Sequence, residues 1–261
     1  MTWQTLGFDF IKRHFEKVIT GGQLNHAYLF TGQDMIGKRT FALELARSIT
    51  GVNDIFVAES GSIDESRQIK NFLSLTAFGG ERKIVIINNA HEMTDEAQNA
   101  LLKILEEPSP TSMLILVSHA PSRLHDTIRS RVQEVQFPVH GKNIIVEYLK
   151  NKNLSHDQED FLYTFSNGSI GLLAQMGDFK QIKQIAEEYT ALARADLNKR
   201  FEIAKQLAVD EQLRQKVLFW MLYLRTKKLY QPLRGLLALY DTISHTQYNQ
   251  LLALENFMLQ L

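Results

Sequence analysis

The sequence predicts an α/β domain built on a parallel sheet, followed by an all-helical remainder. Three observations carry that prediction. Short runs rich in Ile, Val, Leu and Phe alternate with helical patterns through the first half of the chain. One of those runs leads through a glycine-bearing loop into a helix. After Pro138 the β-like runs stop altogether.

The runs are Ala27 to Thr31, Asp54 to Val57, Lys83 to Ile87, Leu114 to Ser118 and Glu134 to Phe137. Each is brief and nearly continuous in apolar residues, as expected of strands covered on both faces. Between them, Phe41, Leu45 and Ile49 recur every fourth residue and form one stripe of a helix. Thr94 is placed to cap the next helix, with Asp95 and Glu96 beside the positive end of its dipole. Ala97, Leu101, Ile104 and Leu105 make the buried face of that helix, and Pro108 stops it. Residues 139–178 read as a small helical unit broken by Asn167-Gly168-Ser169 and Gly171. From 179 to 261 helical spacing dominates: Leu213, Val217, Met221 and Leu224 repeat at three and four residues, and Pro232 opens a further helix. The expected layout is therefore 1–138, 139–178 and 179–261.

Composition narrows the chemistry. The 261 residues contain no cysteine, which removes disulfides, thiolate catalysis and cysteine-based zinc sites. Lys+Arg and Asp+Glu both number 29, so the formal charge is zero, whereas a protein gripping DNA alone would usually be basic. No apolar run is long enough to cross a bilayer, and Met1-Thr2-Trp3-Gln4 does not open a signal peptide. A cytoplasmic location is the expectation. The histidines lack metal-ligand spacing: His91-Glu92 begins a zinc-protease pattern, but Asp95 stands where its second histidine belongs. Arg225, Lys227 and Lys228 are read as a solvated helix face.

Gly32 to Arg39 (Gly-Gln-Asp-Met-Ile-Gly-Lys-Arg) has the strand–loop–helix setting of a phosphate loop. Gly32 and Gly37 let the backbone curl so that amides and a helix N-terminus face one anion, and Lys38 adds a point charge. The pattern then fails. Arg39 occupies the position of the Ser or Thr whose hydroxyl binds Mg²⁺. Thr40 does not replace it, because one step along a helix turns a side chain by about 100°.

Three segments point to a family. Asn25 to Gly32 (NHAYLFTG), Asn99 to Pro108 (NALLKILEEP) and Thr127 to Val132 (TIRSRV) resemble motifs of bacterial AAA+ clamp-loader subunits. With the degraded loop, the resemblance is to the delta-prime type of DNA polymerase III. It implies a AAA+ P-loop sheet domain, a helical lid and an all-helical collar. In ATP-hydrolysing members the third strand ends in Asp then Glu, for the metal and the attacking water. Here Asn88 and Asn89 follow Ile87, and amides carry no charge. The lid arginine that follows a Gly-Ser-x pattern is Gly171 here, and only Thr50 to Asp54 stand where a four-cysteine zinc module is usual.

By the same resemblance, Arg131, with Ser130 in its Ser-Arg motif, is the arginine that reaches a neighbour's ATP; Arg129 is its competitor. Ser118 and His119 stand where relatives sense the γ-phosphate. The implied role is a non-hydrolysing subunit with no cofactor of its own, acting in DNA replication by helping to load the sliding clamp. Its implied partners are ATPase and delta subunits and, through the complex, the sliding clamp and primer-template DNA, with no membrane. Two alternatives stay open: an active AAA+ ATPase (motor or replication-factor-like small subunit), and a loop that binds ATP or ADP without hydrolysis.

Overall fold

A computed structural model describes residues 3–59, 62–75, 77, 82–175, 179–244 and 249–261. The chain divides into two units, Met1–Tyr148 with Gly168–Gly171, and Leu149–Asn167 with Leu172–Leu261. The segment expected as a separate 139–178 region is thus shared between them.

The first unit carries five parallel strands: β1 Ala27–Thr31, β2 Ile55–Ala58, β3 Lys83–Ile87, β4 Ser112–Val117 and β5 Gln133–Gln136, ordered β2-β3-β4-β1-β5. Three strands, β1, β3 and β4, are buried along their whole length, in keeping with sequences that are apolar apart from Thr31, Lys83 and Ser112 at their ends. Alternation along each strand feeds two cores. Tyr28, Phe30, Ile84 and Ile86 face an aromatic layer with Phe15, Phe41 and Phe137, while Leu29, Val85 and Ile87 join Leu101, Leu105 and Ile128. The edge strand β5 alternates half-buried and exposed residues.

Helices cover both layers: α1 Asp9–Thr20, α2 Lys38–Ile49, α3 Ile63–Ser74, α4 Asp95–Glu106, the one-turn α5 Asp126–Arg129 and α6 Lys142–Leu149. The α2 stripe buries Phe41 and Leu45. Thr94 caps α4 by accepting from Ala97 N at 3.3 Å. Ile104, expected in the α4 core, is only half-buried, because Leu101 and Leu105 fill the turn on either side of it. Asp54 is not a strand residue; it ends a 3-10 turn, Val52–Asp54, and meets Lys83 at 3.5 Å in the interior.

The second unit contains α7 His156–Ser166, most of α8 Ile170–Gln175, then α9 Phe179–Arg194, α10 Leu197–Leu207, α11 Leu213–Thr226, α12 Tyr230–Ser244 and α13 Gln250–Gln260. Leu213, Val217 and Leu224 bury the predicted α11 stripe, with Met221 half-buried beside them. One reading is corrected. Arg225 does not lie on a solvated face: its Nη2 donates to the carbonyls of Phe165 at 3.0 Å and Thr164 at 3.3 Å. There it satisfies oxygens that the end of α7 leaves without an intrahelical partner.

Candidate functional site

The phosphate loop joins β1 to α2. Gly32 has φ 135°, and a Cβ there would stand 2.3 Å from the Phe137 carbonyl oxygen, so only glycine fits. Met35 also lies in the left-handed region, at φ 58°, a strain of roughly 1–2 kcal/mol for a residue with a side chain. Lys38 is buried and turned back on its own loop, its Nζ donating to Gly32 O at 2.9 Å and Gln33 O at 2.6 Å. Burial holds its pKa down to about 8, against the opposing pull of Asp34.

Arg39 forms an ion pair with Glu59 at the end of β2. Asn88, at the end of β3, donates Nδ2 to the other carboxylate oxygen of Glu59 at 3.2 Å. Asn89 takes φ 47° and heads the 3-10 turn Ala90–Glu92. Thr40 is exposed on α2. This set does not fit a magnesium ion: a guanidinium stands in place of the hydroxyl, amides stand at the end of β3, and the carboxylate beside them, Glu59, is engaged by Arg39 and Asn88. Among the described residues no cluster of three or more His, Asp or Glu side chains could hold a metal. Glu59 was not legible as a site residue, since nothing in sequence links it to Arg39.

The histidines are less scattered than their spacing suggests. His91 and His119 stack edge to face with ring centroids 3.9 Å apart, and His119 Nδ1 lies 4.0 Å from Asp34 of the loop. The His91 imidazole is held at about 4, first by burial and then by His119 and Arg123. Ser118 is buried and its Oγ accepts from Ala120 N at 3.1 Å.

The segment Gly168–Gly171 seats directly on the loop. Ser169 Oγ donates to Met35 O at 2.8 Å, and Gly171 N donates to the same oxygen at 2.7 Å. A Cβ on Gly171 would stand 2.5 Å from that oxygen.

Arg131 lies elsewhere. Gln133, two residues on, pairs with Tyr28 near the start of β1, whereas Gln136 pairs with Thr31, which leads into the phosphate loop. Gln133 to Gln136 spans roughly 10 Å of strand at about 3.3 Å per residue, so Arg131 stands at the opposite sheet end. Its Nη1 donates to Thr127 O at 2.8 Å and Ser130 Oγ at 3.3 Å, and its Nη2 meets Glu106 Oε1 at 3.0 Å. Ser130 Oγ donates to Thr127 O at 3.1 Å, and Arg129 pairs locally with Asp126. Gln98, buried on α4, fastens the segment leading into α5: it accepts from His125 N at 2.8 Å and donates to Met93 O and Arg123 O, each at 3.3 Å. Its place in line with Leu101 and Leu105 was the available signal.

A parallel sheet with a phosphate loop after β1, a seated Gly-Ser segment and a helical second unit define a AAA+ fold with a helical collar. Among solved structures the chain resembles a DNA polymerase III gamma subunit-related protein of Thermotoga maritima, with TM-score 0.59, 20% identity and coverage of 96% of this chain and 97% of that one. It also resembles a variant of Thermotoga maritima RuvB, with TM-score 0.55, 17% identity and coverage of 95% and 88%.

The sequence comparisons are narrower. Residues 56–140 match the family described as DNA polymerase III, delta subunit. DNA polymerase III subunit delta' of Pseudomonas aeruginosa is 36% identical over 152 residues, 48% of this chain and 46% of the relative. The delta' subunit of Bacillus subtilis is 27% identical over 209 residues, 70% of this chain and 61% of the relative. A replication factor C small subunit of Methanothermobacter thermautotrophicus is 35% identical over 156 residues, 54% of this chain and 48% of the relative. The chain spans about half to three-fifths of the length of these relatives. Over the matched residues the chain is thus similar to DNA polymerase III delta' subunits and to a replication factor C small subunit. No helix among the described residues is long and apolar enough to cross a membrane.

Proposed function

We propose that this chain is a delta-prime-type clamp-loader subunit of the bacterial DNA polymerase III holoenzyme, which hydrolyses no ATP and presents Arg131 to the ATP site of a neighbouring subunit. One observation carries the reading: Arg131 and the phosphate loop stand at opposite ends of the same sheet. An arginine so placed does not serve its own loop, and its partly exposed guanidinium, paired at the surface with Glu106, lies where a partner packed against the α4–α5 edge would meet it. In such an interface the charge offsets the negative charge that develops on a transferred phosphoryl group. Its partners are then ATPase and delta subunits, and the sliding clamp and primer-template DNA are reached through the complex.

The loop supports the other half of the reading. Lys38 directs two of its three donors to Gly32 O and Gln33 O, and Arg39 and Asn88 share Glu59. With no hydroxyl and no acidic pair, water lacks both a metal and a base. The test is reconstitution with the ATPase subunits. Arg131→Ala is expected to leave assembly intact and to slow hydrolysis at the adjoining site by roughly 10³-fold or more. An unchanged rate in the assembled complex removes the role.

A further inference from the structure

We propose that Glu106 is a positioning residue that parks Arg131 and competes with the neighbour's phosphate for it; this rests on the reading of Arg131 as a finger given in trans. The guanidinium is divided between two kinds of partner. Nη1 is held by backbone and hydroxyl oxygens of its own turn, Thr127 O at 2.8 Å and Ser130 Oγ at 3.3 Å. Nη2 alone faces a charged group, Glu106 Oε1 at 3.0 Å. The first grip fixes where the side chain points. The second is an ion pair at the surface, with side-chain exposures of 37% for Arg131 and 50% for Glu106.

Glu106 is the last residue of α4, where the helix dipole already disfavours a carboxylate, so the pair neutralises a charge in an unfavourable place. A pair this exposed is weak and readily exchanged. An incoming phosphate presents the same geometry as a carboxylate and more negative charge, so it takes Nη2 from Glu106 while the Nη1 grip stays. Parking then has a definite cost: the finger is withheld for as long as Glu106 holds it.

The sign of the effect separates this role from a structural one. In the reconstituted complex, Glu106→Gln removes the competing charge and keeps the shape. It is expected to raise kcat/KM for ATP by roughly 2–5-fold, the worth of an exposed ion pair, with the gain shrinking as salt is added. In an Arg131→Ala background the same substitution should change nothing. A fall in kcat/KM for Glu106→Gln, or an equal rise with and without Arg131, overturns the proposal while leaving the finger reading intact. If Arg131→Ala itself leaves hydrolysis unchanged, the finger reading falls and the competition with it.

Discussion

Gly171 donates its amide to the carbonyl of Met35 at 2.7 Å, and no side chain fits between them. Gly171 therefore meets the loop backbone to backbone. Met35 is itself held at a positive φ, so the contact braces a strained turn. Gly171→Ala is expected to push the segment off the loop and destabilise the sheet unit by about 1–3 kcal/mol, read from urea unfolding. A variant as stable as the parent would mean that the loop moves aside at no cost.

Acid should weaken the same unit through His91. Its imidazole titrates at about 4 in the folded chain against an ordinary 6.5, so between those values the unfolded chain binds the extra proton. Stability is then full above about pH 6.5 and falls as pH drops toward 4, by about 3 kcal/mol in all. His91→Phe keeps a ring against His119 and removes the titration. Unfolding free energies between pH 7 and 4 should be flatter for that variant; parallel curves would clear His91 of the effect.

Restoring one element of the phosphate loop should not restore turnover. Arg39→Ser returns a hydroxyl for a metal, but Asn88 and Asn89 still offer neither a metal anchor nor a base. Phosphate release by the isolated variant is expected to stay at background with magnesium present. The substitution also frees Glu59 from an exposed pair, which should change stability by less than about 1 kcal/mol. Magnesium-dependent hydrolysis by Arg39→Ser alone would show that the amides suffice.

Arg225 should matter to folding of the helical unit. Removing its guanidinium leaves the carbonyls of Thr164 and Phe165 without a charged donor, at a cost of about 1.5–3 kcal/mol. Thermal melts of Arg225→Ala should shift downward, while Lys227→Ala, on the exposed end of α11, should not. Equal shifts for the two would return Arg225 to the status of a surface charge.

Much of this protein was fixed by periodicity and local chemistry. Apolar runs gave β1 and β3 to the residue, the Phe41, Leu45, Ile49 stripe gave α2, and Thr94 gave the start of α4, because burial on both faces, helical spacing and capping are local signals. The same locality made the missing hydroxyl at Arg39 legible in the chain itself, whereas Asn88 and Asn89 drew notice only through a resemblance. Pairings between distant residues were not legible. Arg39 meets Glu59, His91 meets His119, Gly171 meets Met35 and Arg131 meets Glu106 only because the fold brings loops and helix ends that are far apart in sequence side by side. A guanidinium or an imidazole carries no sequence mark of its partner, and which carboxylate or carbonyl it reaches is decided when helices and loops pack onto the sheet.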